Sequence, residues 1–151
     1  MSRRILYLSY FYSPDLGAGS FRNTALTQAL SKKLNSDDHI DVMSTLPNRY
    51  KMDNLMASVY EQINNLYVHR FKVASHGNGF VKQIFSFLTF RKQVLNKIHN
   101  QKYDLVFASS SKLFTAYLAY KIAKKRGLPL YVDLRDLFSE NLAELIKIPF
   151  I

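Results

Sequence analysis

The stretch ILYLSYFYSPDLGAGSFRNTALTQAL, residues 5–30, places an apolar run, a glycine-containing loop and a helical pattern in direct succession. Residues 5–11 are almost continuously apolar, which is typical of a strand buried on both faces of a parallel sheet. From Ser20, the expected N-cap, apolar residues recur at helical spacing, while Arg22 and Asn23 are expected to face solvent. The expected core face consists of Phe21, Ala25, Leu26, Ala29, Leu30 and Leu34. The stretch predicts a strand–loop–helix unit.

The glycine loop has two interpretations. Gly17 and Gly19 can adopt positive φ and let a ligand approach the backbone, and the amides of residues 20–23 would point outward at a helix N-terminus suited to an anion. The spacing is not G-x-G-x-x-G, however, because Arg22 stands at the last position. On spacing alone, a plain turn is favoured over a phosphate site.

The rest of the chain continues the alternation of strands and helices. The 151 residues are 48% hydrophobic, enough for the core of one domain spanning 1–151. Such alternation predicts a three-layer, Rossmann-like, doubly wound parallel α/β sheet with right-handed crossovers. Further strands are expected at residues 39–45, 66–73, 104–108 and 130–134, and helices at 80–98 and 113–125.

Polar loops follow the last two predicted strands. Ser109, Ser110 and Ser111 come after one strand, and Asp133 begins a polar cluster at the end of the other that includes Arg135, Asp136 and Glu140. Ligands bind beyond the carboxyl ends of strands in open parallel sheets, so a site is expected there. The alternative is structural: Ser111 caps the next helix and Arg135 pairs with Asp133 or Asp136.

The charge is basic and unevenly distributed. The formal net charge is +10, and no acidic residue lies between Glu61 and Asp104. The predicted helix 80–98 has an expected apolar face of Phe80, Ile84, Phe87, Leu88, Leu95 and Ile98, with Phe85 and Phe90 as additional aromatics. Its basic residues are Lys82, Arg91, Lys92 and Lys97. A basic helix of this kind can lie on an anionic membrane surface, although an ordinary sheet-packing helix with a solvated side gives the same pattern.

Other composition features limit the alternatives. There is no cysteine, the four histidines show no metal-ligand spacing, and the N-terminus carries no signal-peptide pattern, which favours a cytoplasmic protein without a metal site. No apolar stretch approaches the roughly 20 residues that cross a bilayer.

Three stretches in order resemble the N-terminal domain of family 4 glycosyltransferases of the GT-B architecture, in the bacterial branch that builds capsule, O-antigen and exopolysaccharide repeats. They are YFYSPDLGAGSFR (10–22), TLPNRY (45–50) and YDLVFASSSKLFTAYLAYKIAKKRGLPLYVDLRDLFSENL (103–142). The resemblance covers nearly the whole chain. It implies the N-terminal half of an enzyme whose nucleotide-sugar domain is absent here, so that the chain is a truncated piece with little activity of its own.

The resemblance also implies an activity. Family members of this kind perform a retaining transfer from a nucleotide-sugar to a lipid-linked saccharide at the inner face of the bacterial membrane, which implies here a peripheral, metal-independent enzyme without a further cofactor. In the family, the loop matching Gly17, Ala18, Gly19 and Ser20 lies beside the donor diphosphate. The arginine matching Arg22 opens the next helix, so these residues are the expected diphosphate site.

The acceptor side is implied by a second motif. The segment matching residues 135–140 usually reads Arg-Asp-Leu-Trp-Pro-Glu, and Phe138 and Ser139 replace Trp and Pro here. Arg135 and Asp136 are the expected catalytic residues, because they would orient the acceptor hydroxyl. The expected acceptor-side residues are Ser109, Ser110, Ser111, Asp133 and Glu140.

Two other functional classes compete with this interpretation. A noncatalytic α/β domain could bind nucleic acid through the basic surface, but it would need aromatic stacking platforms or a groove-reading helix, and the aromatics fall largely at core-like positions. A nicotinamide-binding enzyme is disfavoured because the glycine fingerprint is absent and Ser44 and Thr45, rather than an acidic residue, end the second predicted strand.

Overall fold

The computed structural model of the protein describes residues 2–47, 57–73, 80–110 and 112–134. Ser111, Arg135, Asp136 and Glu140, to which the sequence assigns site roles, lie outside these residues. The strands are β1 (Arg4–Ser9), β2 (His39–Thr45), β3 (Tyr60–Ile63), β4 (Leu66–Phe71), β5 (Leu105–Ser109) and β6 (Leu130–Asp133). The helices are α1 (Ala18–Lys33), α2 (Phe80–Ile98) and α3 (Leu113–Arg126).

The strands form one mostly parallel sheet in the order β3-β4-β2-β1-β5-β6. Only β3 of the described strands runs antiparallel, against β4. The chain leaves β1 toward β2 on one side and returns to β5 on the other. The strand order therefore reverses at β1, which makes the carboxyl ends of β1 and β5 the switch point of the sheet.

Two layers of helix cover the sheet. Leu6 and Leu8 of β1 pack in a core cluster with Phe90 of α2 and Leu118 of α3, whereas Tyr7 points to the opposite face, with the residues that contact α1. Because side chains alternate along a strand, α1 lies on one face and α2 and α3 on the other. The predicted three-layer, Rossmann-like α/β fold is confirmed.

The predicted face of α1 is partly wrong. The N-cap is Gly17, so Ser20 is a buried residue of the first turn rather than the cap. Phe21 is 62% exposed, whereas Asn23 and Thr27 are fully buried. Leu26, Leu30 and Leu34 do pack on the core. The buried stripe is polar because its side chains hydrogen-bond to hydroxyl groups from β1 and the loop that follows it.

The sequence pattern does not predict strand β3. Its residues, YEQI, are mostly exposed at the sheet edge and lack an apolar pattern. Asn64 has a positive φ of 54° in the tight turn to β4, a conformation that asparagine tolerates better than most residues. The Asn64-Asn65 pair was the available signal for this hairpin.

The predicted bounds of α2 are confirmed, but its faces differ in part. Phe90 is fully buried in the core instead of being an additional surface aromatic, and Leu88, expected in the core, is 44% exposed. Phe85 is exposed as expected. No described helix is long and apolar enough to cross a membrane.

Candidate functional site at the carboxyl edge of the sheet

Three polar residues end neighbouring strands at the carboxyl edge. Ser9 of β1 is in register with Ser109 of β5, and Ser109 is in register with Asp133 of β6. Tyr7 and Phe107, two residues earlier, belong to the face covered by α1. By alternation, Ser9, Ser109 and Asp133 share that face. The sheet thus directs three polar side chains toward the beginning of α1.

The N-terminus of α1 opens at this edge without a cap from its own side chains. Gly17 has φ −174° and ψ 151°, no side-chain cap bond forms, and the first turn contains no acidic residue. The amide of Phe21 is used within the helix, at 3.1 Å from the Gly17 carbonyl oxygen. The amides available to a ligand therefore belong to the residues before Phe21.

This geometry corrects the reason given for the glycines. Gly17 is extended and Gly19 is a buried helical residue, so positive φ explains neither. The amides expected from residues 20–23 also shift toward residues 18–20. What remains is an uncapped helix N-terminus carrying roughly half a positive charge, which is suited to an anion.

Two fully enclosed hydroxyls lie close to this edge in the fold. The Ser20 hydroxyl in the first turn of α1 and the Ser109 hydroxyl at the end of β5 have no hydrogen-bond partner among the described residues. A buried hydroxyl without a partner costs about 1–3 kcal/mol. Polar groups left in this state mark places where water or a ligand completes the bonding.

Arg22 and Asp133 form the main charged contact of the site. Arg22 Nη2 donates to Asp133 Oδ1 at 2.9 Å, and Nε donates to Oδ2 at 3.2 Å. The pair joins the expected diphosphate side to the expected acceptor side across 111 residues of sequence. The structural alternative, in which Arg135 pairs with Asp133 or Asp136, lies outside the described residues.

The loop after β5 is fixed against β6. The backbone amide and the hydroxyl of Ser110 both donate to the Asp133 carbonyl oxygen, at 3.0 and 3.1 Å. The N-cap of α3 is Lys112, whose side chain makes no cap bond, and the first turn of α3 contains no acidic residue. Two uncapped helix N-termini therefore face the same edge of the sheet.

Arg70 is a buried structural residue, although its charge favours an exposed position. Its Nε donates to the Ser13 carbonyl oxygen at 2.9 Å and its Nη1 to that of Ser58 at 3.0 Å. Its Nη2 pairs with Glu61 at 2.7 Å. Arg70 therefore holds the loop that leads from β1 to the glycine segment, a role that no local pattern in the sequence indicates.

Hydroxyl contacts position the same loop and α1. The Tyr12 hydroxyl lies 2.6 Å from the Thr27 hydroxyl. Burial raises the pKa of Tyr12 above its usual value of 10.0, so this residue stays protonated as a hydrogen-bonding phenol. The Thr45 hydroxyl donates to the Tyr10 carbonyl oxygen at 2.7 Å, so the end of β2 supports the loop after β1. Thr45 stands where a nicotinamide-binding enzyme would place an acidic side chain for the ribose.

The four basic residues of α2 expected at a membrane are exposed, but they do not share one face, because the nine residues from Lys82 to Arg91 span about two and a half turns and put the two on opposite sides. Lys82 lies in the first turn and Lys97 in the last, while Arg91 lines a groove of about 1410 Å³ between α2 and α3. Exposed apolar residues lie nearer the start of both helices. We call the following set the apolar band: Val81, Phe85 and Leu88 of α2, and Leu113, Phe114 and Tyr117 of α3.

No group of three histidine, aspartate or glutamate side chains within the described ranges is arranged to hold a metal ion. Among the residues that the structure describes, the carboxyl edge presents backbone amides, hydroxyls and the Arg22–Asp133 pair.

These features define a class: an α/β, Rossmann-like domain with a polar edge at the switch point of its sheet. Sucrose-phosphate synthase from Thermosynechococcus elongatus is similar over 97% of this chain and 36% of its own, with a TM-score of 0.66 and 11% identity. A UGT transferase from Siraitia grosvenorii in complex with UDP is similar over 97% of this chain and 32% of its own, with a TM-score of 0.51 and 15% identity.

The same fold occurs outside transferases. The C-terminal domain of a hydrogenase from Pyrococcus furiosus matches with a TM-score of 0.57 and 14% identity, over 87% of this chain and 91% of that domain. No protein-family model matches the chain, and no curated protein does. At these identities the likeness shows the fold, and the chain spans about a third of the two transferase structures.

Proposed function

We propose that this domain is the acceptor-binding half of a retaining glycosyltransferase, which moves a sugar from a nucleotide-sugar to a lipid-linked saccharide in bacterial surface polysaccharide synthesis. A second, nucleotide-sugar domain completes the enzyme, and this chain alone is inactive. The fold shared with two sugar-transferring enzymes supports the class of reaction, and the UDP bound to one of them supports a nucleotide-sugar donor.

The observation that carries the proposal is the arrangement at the switch point. The uncapped N-terminus of α1, the buried hydroxyls of Ser20 and Ser109, and the Arg22 guanidinium all lie at the carboxyl edge. Such an edge is where open α/β sheets bind ligands. Its donors suit a diphosphate, which offers several acceptor oxygens and negative charge.

The proposed roles follow from the chemistry of transfer. When the glycosidic bond to the donor breaks, negative charge develops on the leaving diphosphate. Backbone amides of Gly19 and Ser20, together with Arg22, would stabilise that charge without a metal, and donors of this kind are worth about 100-fold or more in rate. Arg135 and Asp136 would orient the acceptor hydroxyl, with Ser109, Ser110, Ser111, Asp133 and Glu140 on the acceptor side.

The proposed location is the inner face of the membrane, because the lipid-linked acceptor resides there. The apolar band on α2 and α3 and the basic residues beyond it, Arg91 and Lys92 among them, support this location. Apolar side chains can enter the headgroup region while each nearby lysine or arginine contributes about 1 kcal/mol on an anionic surface.

Sugar transfer by the protein joined to its nucleotide-sugar domain tests the proposal. Radiolabelled sugar is supplied as a nucleotide-sugar, and transfer to a polyprenyl-diphosphate saccharide is measured. Arg22→Gln is expected to lower kcat by about 100-fold. Gly19→Val, which places a branched side chain in the buried first turn, should abolish transfer, and EDTA should have no effect.

Lys33→Gln is the matched control, since Lys33 is exposed at the far end of the same helix. It should transfer sugar at the unmodified rate. Full activity in both Arg22→Gln and Gly19→Val would contradict the diphosphate site.

A further inference from the structure

Arg22 is only partly used by Asp133. The guanidinium donates to the carboxylate through Nε and through one hydrogen of Nη2, and Nη1 has no partner among the described residues. The Arg22 side chain is 56% exposed, while that of Asp133 is 16% exposed. The cation is therefore accessible to an incoming anion, and the carboxylate is the more fixed member of the pair.

Arg22 also lies close to the proposed diphosphate position. It is the fifth residue of α1, one residue beyond the turn whose amides are uncapped. An anion at that N-terminus and the carboxylate of Asp133 would compete for the same guanidinium. An exposed ion pair is weak, so an anion that also gains the helix amides can displace it.

The contacts around Asp133 allow Arg22 to move away from it. Its backbone oxygen is held by two bonds from Ser110, so the strand end stays in place when Arg22 leaves. Its register neighbour on the same face is Ser109, whose buried hydroxyl has no partner among the described residues. The carboxylate would then be free to accept a hydrogen bond from a hydroxyl.

We propose that Arg22 exchanges partners during the reaction: the donor diphosphate draws the guanidinium away from Asp133, and the freed carboxylate accepts a hydrogen bond from the acceptor hydroxyl. Asp133 is thus a positioning residue that couples the two halves of the site. The consequence is ordered binding, with the donor before the acceptor. This inference rests on the proposed function, because it takes the diphosphate to bind at α1.

Binding of inorganic pyrophosphate to this chain, followed by NMR titration at fixed low ionic strength, tests the exchange. Asp133→Asn removes the competitor and is expected to bind pyrophosphate about tenfold more tightly than the unmodified chain, in the usual range of coupling between sites. Arg22→Gln should bind more weakly. The double variant should bind like Arg22→Gln, because the gain acts through the guanidinium.

Asp37→Asn is the matched control. Asp37 is an exposed carboxylate next to the start of β2, at the opposite edge of the sheet, so the variant changes net charge equally without touching the site. Equal gains in Asp37→Asn and Asp133→Asn would overturn the exchange, as would unchanged affinity in Asp133→Asn. If binding never depends on Arg22, the proposed diphosphate site is wrong as well. Thermal melts of each variant confirm the fold.

Discussion

The hydroxyl of Tyr7 in β1 donates a hydrogen bond of 2.9 Å to Oδ1 of Asn23 in α1, in the interior of the protein. The amide nitrogen of Asn23 in turn donates to the Ser9 hydroxyl at 2.6 Å. Strand and helix are therefore joined by a polar network directly behind the carboxyl edge. This network sets where the N-terminus of α1 stands relative to Ser109 and Asp133.

Removal of Asn23 should destabilise the fold strongly. Asn23→Ala removes the side chain that hydrogen-bonds to both the buried Tyr7 hydroxyl and the Ser9 hydroxyl. We therefore expect the free energy of unfolding to fall by about 2–3 kcal/mol. Urea unfolding measures this change. Gln28→Ala, an exposed position in the same helix, is the control, and an equally small loss in both variants would contradict the role of the network.

The guanidinium group of Arg70 should be required for the stability of the fold. Lysine carries the charge but cannot make the three separate contacts to Ser13, Ser58 and Glu61. We expect Arg70→Lys to cost about 2–3 kcal/mol in unfolding free energy, because a buried lysine ammonium at this position cannot replace all three bonds and leaves part of the network unpaired. It should also weaken pyrophosphate binding through the displaced loop. The exposed neighbour Lys72, changed to Gln, provides the comparison, and equal stability of the two variants would argue against this role.

Much of the fold could be predicted because apolar runs dictate it. The stretch that contains β1 is a nearly continuous apolar segment, and the periodicity of α2 predicts its bounds. The stripe on α1 could not be predicted in this way. Asn23 and Thr27 can be buried because hydroxyl groups distant in sequence hydrogen-bond to their side chains. The spacing of apolar residues along α1 carries no information about such partners.

The candidate site divides in the same manner. The order of strands placed Arg22, Ser109 and Asp133 at one edge, as the alternation of strands and helices predicts. The pairing of Arg22 with Asp133 spans 111 residues and depends on side-chain reach, which the sequence does not show. Arg70 shows a related limit: its charge favours exposure, and only its three tertiary partners explain its burial.

Asp38 makes the stability of the protein depend on pH in the acidic range. The Arg3 backbone amide and guanidinium donate to its carboxylate at 2.7 and 2.9 Å, and these bonds lower its pKa from 3.8 to about 2. Because the folded state has the lower pKa, the stabilisation is complete above the unfolded value and is lost as the pH falls from about 4 to about 2.

The prediction for Asp38→Asn follows from this sign. The variant should melt at a lower temperature than the unmodified protein at pH 7, and the two should converge near pH 2. Thermal melts followed by circular dichroism across this range measure the difference. As a control, Asp37→Asn, at the exposed neighbouring position, should melt close to the unmodified protein at every pH. If Asp38→Asn still melts well below the unmodified protein at pH 2, lost packing rather than lost charge is responsible.

Binding to anionic membranes should depend on the layer formed by α2 and α3. Arg91 and Lys92 are exposed beside the apolar band, so Arg91→Glu with Lys92→Glu replaces attraction with repulsion at that surface. Sedimentation with phosphatidylglycerol-containing liposomes should show binding at low salt that decreases as salt rises. The double variant should bind at least tenfold less, since each basic residue near the surface contributes about 1 kcal/mol.

A change of equal charge on the other layer separates this effect from net charge. Lys32 and Lys33 are exposed at the end of α1, on the opposite face of the sheet, and their replacement by Glu should leave most liposome binding intact. Phe85→Ser removes one exposed ring of the apolar band and should weaken binding at high salt in particular, where the apolar contribution remains. Equal losses in both charge variants would mean that no specific face meets the membrane.

The same variants also test the competing nucleic-acid interpretation, for which the structure supplies exposed aromatics on α3, Phe114 and Tyr117 among them, as stacking surfaces. Gel shift with single-stranded RNA is the measurement. A membrane surface of the proposed kind predicts weak RNA binding that falls alike in the Arg91/Lys92 and Lys32/Lys33 variants, since it reflects overall charge. Tight binding lost only with Arg91, Lys92 and Tyr117 would favour the nucleic-acid function instead.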